Sequence, residues 1–144
     1  MDNIQAAMLL PQMKRIREKA ALRQKLAALY EDKLSKISGI RLLSLHKHTT
    51  HAWHLFAVLV DVSIRDKLII ELNKIGVSVM VNYRAIHLLS YFAEKYGYKN
   101  GDFPVAEAMG QSILSLPFYP TMPEESALYI TETLNNCLND NSLA

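Results

Sequence analysis

Two short stretches hold most of the side chains that could do chemistry. Residues 46–54 read HKHTTHAWH and contain four of the five histidines. Residues 82–87 read NYRAIH and bring together Asn82, Tyr83, Arg84 and His87, an amide, a phenol, a guanidinium and an imidazole. The first suggests a metal centre. Side chains of an extended segment share a face at every second residue, so His46 and His48 would lie together, while His51 and His54 have a spacing suited to a helix. Zinc asks for four converging ligands, or three and a water. No cysteine or carboxylate lies in the stretch to complete such a set, so it reads as a polar turn entering a buried strand. The expected metal ligands are therefore none.

The second stretch suggests anion and sugar binding. The Arg84 guanidinium could grip phosphate or carboxylate in a fork geometry that lysine cannot reproduce. Asn82, Tyr83 and His87 could hydrogen-bond the rest of a ligand. Spacing alone favours a plainer alternative, a strand-to-helix turn with a surface arginine and a half-buried histidine, because pockets need convergent polar groups. The five glycines, at 39, 76, 97, 101 and 110, form no P-loop, nucleophile elbow or dinucleotide fingerprint.

The elements that must position these groups follow from periodicity. Asp2 and Asn3 are good caps for a long helix over roughly 3–38, in which Leu22, Leu26, Tyr30 and Leu34 make an apolar stripe. Pro11 cannot donate its backbone hydrogen bond and should kink or divide that helix. Short strands are predicted at 40–45 and, from the doubly apolar run WHLFAVLVDV, at 53–62. A helix at 63–75, capped by Ser63 and closed by Gly76, leads to an alternating strand at 77–83. Helices are predicted near 85–96, 103–113 and 123–138, with a brief edge strand in ILSLPFYP and a fraying tail beyond Asn135. This is an α/β (α+β) domain: a long N-terminal helix plus a small sheet flanked by helices.

The 144 residues suffice for one domain with a real core. A single cysteine, Cys137, excludes an internal disulfide framework and fits a reducing compartment. No stretch approaches the ~20 apolar residues of a membrane span, and Pro11 with a run of charges argues against a signal peptide. A cytoplasmic location is expected. Residues 1–50 carry ten Lys/Arg against four Asp/Glu, but without interleaved aromatics they read as a solvated helix face rather than a nucleic-acid surface.

Four further stretches carry a resemblance. MDNIQAAMLLPQMKRI, HAWHLFAVLVD, RDKLIIELNKIGVSVMVNYRAIHLLSYF and GDFPVAEAMGQSILSLPFYPTMPEE occur in collinear order through the chain. Together they resemble the C-terminal part of the DegT/StrS-type nucleotide-sugar aminotransferases, which are pyridoxal-phosphate enzymes of the aspartate-aminotransferase fold. The resemblance implies a small C-terminal α/β domain at 39–144, joined by a connecting helix at 1–38. It places Tyr83 and His87 on the family's Tyr-x-x-x-His signature, beside the sugar-nucleotide site. The family's common His-Tyr-Pro is here Asn82-Tyr83-Arg84, which bears on the sugar accepted. The family's Schiff-base lysine precedes the region matched, and none of the ten lysines has its setting. A truncated or split member is implied: no catalytic residue of its own, no pyridoxal phosphate held by the chain alone, and activity only with a large-domain partner. The alternative is a non-catalytic module binding a sugar nucleotide or a protein. An apolar face that a large domain would cover predicts a homo-oligomer.

Overall fold

The computed structural model describes residues 1–139. Helix α1 (Asn3–Lys14) opens on a capping box: the Asp2 carboxylate accepts from the Gln5 amide at 2.8 Å, and the Gln5 side chain accepts from the Asp2 amide. Pro11 lies inside α1, and the division falls one turn later at Arg15 (φ −104°, ψ 6°), whose N–H turns to the carbonyls of Gln12 and Met13. A proline removes one helical hydrogen bond, and α1 absorbs that loss without breaking there. Helix α2 (Ile16–Leu34) then buries Leu26, Ala27, Tyr30 and Leu34. Leu22, at the outer end of the same stripe, stays exposed. Helix α1 buries nothing.

Strands β1 (Arg41–Leu42), β2 (Phe56–Leu59) and β3 (Ile113–Leu116) form an antiparallel sheet in the order β1-β2-β3. Phe56 pairs with Leu116 and Leu59 with Ile113. The alternating segment 77–83 is not a full strand. It joins the sheet through one antiparallel bridge, Met80 to Ser115, which runs it parallel to β2 with β3 between them. Its period-2 burial survives, with Val77 and Val79 buried and Ser78 and Met80 exposed. The run ILSLPFYP therefore supplies an inner strand and not an edge. Its prolines, Pro117 and Pro120, fall after the strand, where no ladder bond is lost.

Helix α3 (Val62–Lys74) links β2 to the 77–83 segment and is capped by Asp61, not Ser63. The Asp61 carboxylate accepts from the Ser63 amide at 2.8 Å and from its hydroxyl at 2.5 Å, and these bonds hold its carboxyl below the usual range. Helix α4 (Ser90–Tyr96), helix α5 (Pro104–Ser112) and helix α6 (Glu124–Asn139) complete the fold. Residues 136–139, expected to fray, continue α6, and the remainder of that tail lies outside the described residues.

The core lies where α2, α3 and α6 meet one face of the sheet. Tyr30, Phe56, Leu68, Leu114 and Leu134 are among its largest fully buried side chains. Burying each apolar side chain contributes about 1.5–3 kcal/mol before ordering costs are counted. Trp53 joins this core, stacked on Phe56 at 5.4 Å. No helix among the described residues is long and apolar enough to cross a membrane.

Candidate functional site

The NYRAIH stretch forms the turn between the Met80 bridge and α4. The Asn82–Tyr83 peptide is cis, and a short 3-10 turn (Ile86–Leu88) follows, where a continuous helix over 85–96 was expected. The helix restarts at Ser90 and closes on Gly97, in the left-handed conformation at φ 72°. The turn lies against the last turn of α5. A Cβ on Gly110 would meet the Ala85 amide nitrogen at 2.7 Å and the Arg84 carbonyl carbon at 3.2 Å, so only glycine allows this approach.

His87 is buried and points its Nε2 at Glu107 Oε1, 2.8 Å away and equally buried. An ionised carboxylate can only accept, so Nε2 carries the hydrogen. Glu107 also accepts from the backbone N–H of Gly101, at 3.0 Å to each oxygen, and of Phe103 at 3.1 Å. The Gly101 bond is the main cause holding its carboxyl below the ordinary glutamate value. Burial opposes it, and His87 and the Phe103 N–H act in the same sense as Gly101. Phe103 packs against the imidazole at 4.7 Å, and Tyr98 packs on Phe103 at 5.4 Å. Glu107 thus ties the turn, the 97–103 loop and α5 into one unit.

Above this unit lies an open groove of about 490 Å³ whose walls include Tyr83, Arg84, His87, Phe92, Tyr98 and Phe103. Tyr83 and Arg84 are exposed to it and His87 forms part of its floor. Asn82 does not line the groove. It borders a smaller neighbouring cavity of about 240 Å³ beside Trp53, and its Oδ1 is buried without a partner. The structure therefore brings three of the four expected residues to one groove and separates the fourth. It also adds Glu107 and Gly110, which spacing did not single out. Their signal was faint: a carboxylate early in the helix after GDFP, and a glycine in an otherwise good helix.

Of the histidines of 46–54, His51 and His54 line the cavity beside Trp53 that Asn82 borders. His46 Nδ1 lies 2.8 Å from the Lys47 carbonyl, and His51 Nδ1 accepts from the Trp53 amide at 3.0 Å while its ring lies on the indole at 4.2 Å. His48 and Trp53 have positive φ, 65° and 49°, which makes the stretch a tight, irregular turn. Among the described residues no three His, Cys, Asp or Glu side chains are grouped to hold a metal ion.

The model of the DegT/DnrJ/EryC1/StrS aminotransferase family matches residues 1–135. The chain belongs to that family. It is similar to the UDP-4-amino-4-deoxy-L-arabinose–oxoglutarate aminotransferase of Shewanella sediminis, 35% identical over 131 residues, 85% of this chain and 34% of that protein. Its fold is similar to S. venezuelae DesV, solved in complex with a ketimine intermediate: TM-score 0.89, 28% identity, 97% of this chain and 37% of DesV. It is also similar to the sugar aminotransferase Spr1654 of Streptococcus pneumoniae in its PLP form, with TM-score 0.86, 26% identity, and coverage of 94% and 35%. The chain thus spans about a third of the length of these DegT/DnrJ/EryC1/StrS relatives.

Proposed function

We propose that this chain is the small-domain portion of a pyridoxal-phosphate-dependent nucleotide-sugar aminotransferase, which transfers an amino group from an amino acid such as glutamate to a keto-sugar nucleotide. On this reading 1–38 is the connecting helical segment and 39–144 the small domain. The observation that carries it is the convergence of Tyr83, Arg84 and His87 on one groove, in a chain that matches the family over 1–135. Arg84 would take the diphosphate, whose paired oxygens suit its fork of donors. Tyr83 and His87 would hydrogen-bond the sugar, while the aromatic wall excludes water from it. Asn82 would act from the adjoining cavity.

The lining of this groove does not fit the cofactor. Among the described residues no lysine and no carboxylate lines the groove, so it offers neither a Schiff-base nitrogen nor an acid for the pyridinium. On this reading pyridoxal phosphate and catalysis belong to a large domain, and residues 1–144 by themselves bind without turning over. Calorimetry with UDP-glucose and dTDP-glucose tests the binding, and no heat at millimolar ligand would refute it. Borohydride reduction after adding pyridoxal phosphate tests the rest. Modification of one defined lysine would show that the chain holds the cofactor by itself.

The exposed side chains of Ile4, Met8, Leu10 and Met13 on α1 support self-association of the isolated chain. We expect a dimer or larger species in sedimentation velocity at tens of micromolar protein. A monomer at that concentration would count against this part of the reading.

A further inference from the structure

His87 lines the groove, whereas Glu107 borders the cleft on the far side of the turn. The carboxylate therefore acts on the groove only through the imidazole. Among the described residues the ring makes its one hydrogen bond through Nε2. Glu107 in turn is held by three backbone bonds: both of its oxygens accept from Gly101, and Oε1 also accepts from Phe103. A carboxylate anchored in this way cannot rotate to release the imidazole without losing those backbone donors.

We propose that Glu107 is the positioning residue of this site. It fixes the His87 proton on Nε2, leaves Nδ1 as a hydrogen-bond acceptor, and so selects a hydroxyl or amine of the ligand at His87 over a carbonyl or phosphate oxygen. The inference rests on the groove being the sugar-nucleotide site. In that setting it assigns His87 to the sugar ring, whose hydroxyls donate, and leaves the diphosphate, which only accepts, to Arg84. An unrestrained neutral imidazole in water samples both tautomers, so an acceptor at a defined place requires such a partner.

The chain of 144 residues, labelled with ¹⁵N, provides the test. Long-range proton–nitrogen spectra at neutral pH distinguish a pyridine-like nitrogen from a protonated one. The expected result is a pyridine-like Nδ1 and a protonated Nε2 in the unmodified chain. Glu107→Gln should preserve it, because an amide oxygen in the place of Oε1 still accepts from His87, Gly101 and Phe103. Glu107→Ala should give averaged signals from two tautomers, with the amide spectrum reporting that the fold is kept. A proton on Nδ1, or averaged signals, in the unmodified chain would overturn the proposal whether or not any variant folds. Unchanged tautomers in folded Glu107→Ala would overturn the role of Glu107.

Adding UDP-glucose should shift the Nδ1 signal, and UDP without a sugar should leave it in place. A shift with UDP alone would overturn the assignment of the sugar to His87. If the tautomer is fixed as expected but no nucleotide sugar shifts any signal of the groove, the sugar-nucleotide reading fails and the ligand part of this proposal fails with it. That outcome differs from a failure of the Glu107–His87 lock, which the spectra report without ligand.

Discussion

Substituting Gly110 by alanine would place a methyl carbon against backbone on the opposite side of the contact. The distances are 2.7 Å to the Ala85 nitrogen, 3.2 Å to the Arg84 carbonyl carbon and 3.3 Å to the Arg84 Cα. No flexible side-chain tip is available to yield. The turn must retreat by roughly 0.7 Å, the shortfall between 2.7 Å and the 3.4 Å at which ordinary contact begins. Overpacking of this kind costs typically about 1–3 kcal/mol. Against it stands the helix preference of alanine over glycine, about 1 kcal/mol. The net expectation is a loss of roughly 0–2 kcal/mol, where an unobstructed helical glycine would give a gain of about 1 kcal/mol. The retreat also acts on the site, because His87 rides on the displaced turn while Glu107 stays on α5. Their 2.8 Å bond should lengthen toward the limit of hydrogen bonding. Urea unfolding gives the sign of the stability change, and the His87 ring signals report the bond. A Gly110→Ala chain that is more stable by about 1 kcal/mol, with His87 signals unmoved, would show that the turn does not rest on α5 as described.

Four further outcomes are expected. The depressed Glu107 carboxyl contributes stability that is complete above its unfolded value, near 4.5, and is lost as pH falls below that value toward the folded one. Urea midpoints from pH 7 to pH 3 should therefore drop below about pH 4.5, and less steeply in Glu107→Gln; parallel curves would refute the linkage. Tyr30 is fully buried and donates its hydroxyl to the Pro117 carbonyl at 2.9 Å, so Tyr30→Phe should cost about 1–2 kcal/mol in unfolding experiments. Burial also pushes the Tyr30 phenol well above the ordinary tyrosine range, so its ultraviolet titration should appear only as the chain unfolds in alkali, and an ordinary titration in the folded state would contradict its placement. Met8→Glu on the exposed face of α1 should lower the association state in sedimentation, and no change would place the self-association elsewhere.

Much of the architecture was legible in the sequence because it depends on local periodicity. The stripe through Leu26, Tyr30 and Leu34 is legible, as is the apolar run 53–62, of which only Phe56–Leu59 becomes β2. The capping by Asp2 and the left-handed Gly76 at φ 83° were also legible, since each is settled within a few residues. Errors gathered where a longer-range partner decides. Val77 and Val79 alternate like a strand, yet the segment pairs only at Met80, because β3 offers it a single bridge. The run ILSLPFYP looked like an edge because of its prolines, and its inner position depends on β2, more than fifty residues earlier in the chain. The cluster HKHTTHAWH was the densest in chemistry along the chain, but density in sequence does not make side chains converge.

The sequence by itself determined the amphipathic helices, the family resemblance and the presence of a polar turn at 82–87, because side-chain type and spacing act locally. Tertiary structure alone decided which of those polar groups share a groove. It sent Asn82 to a neighbouring cavity, set Glu107 against His87 from twenty residues away, and pressed Arg84 and Ala85 onto Gly110. The reason is physical. A buried imidazole and a buried carboxylate are each costly alone and are tolerated where folding joins them, and no local pattern announces which distant partner that will be.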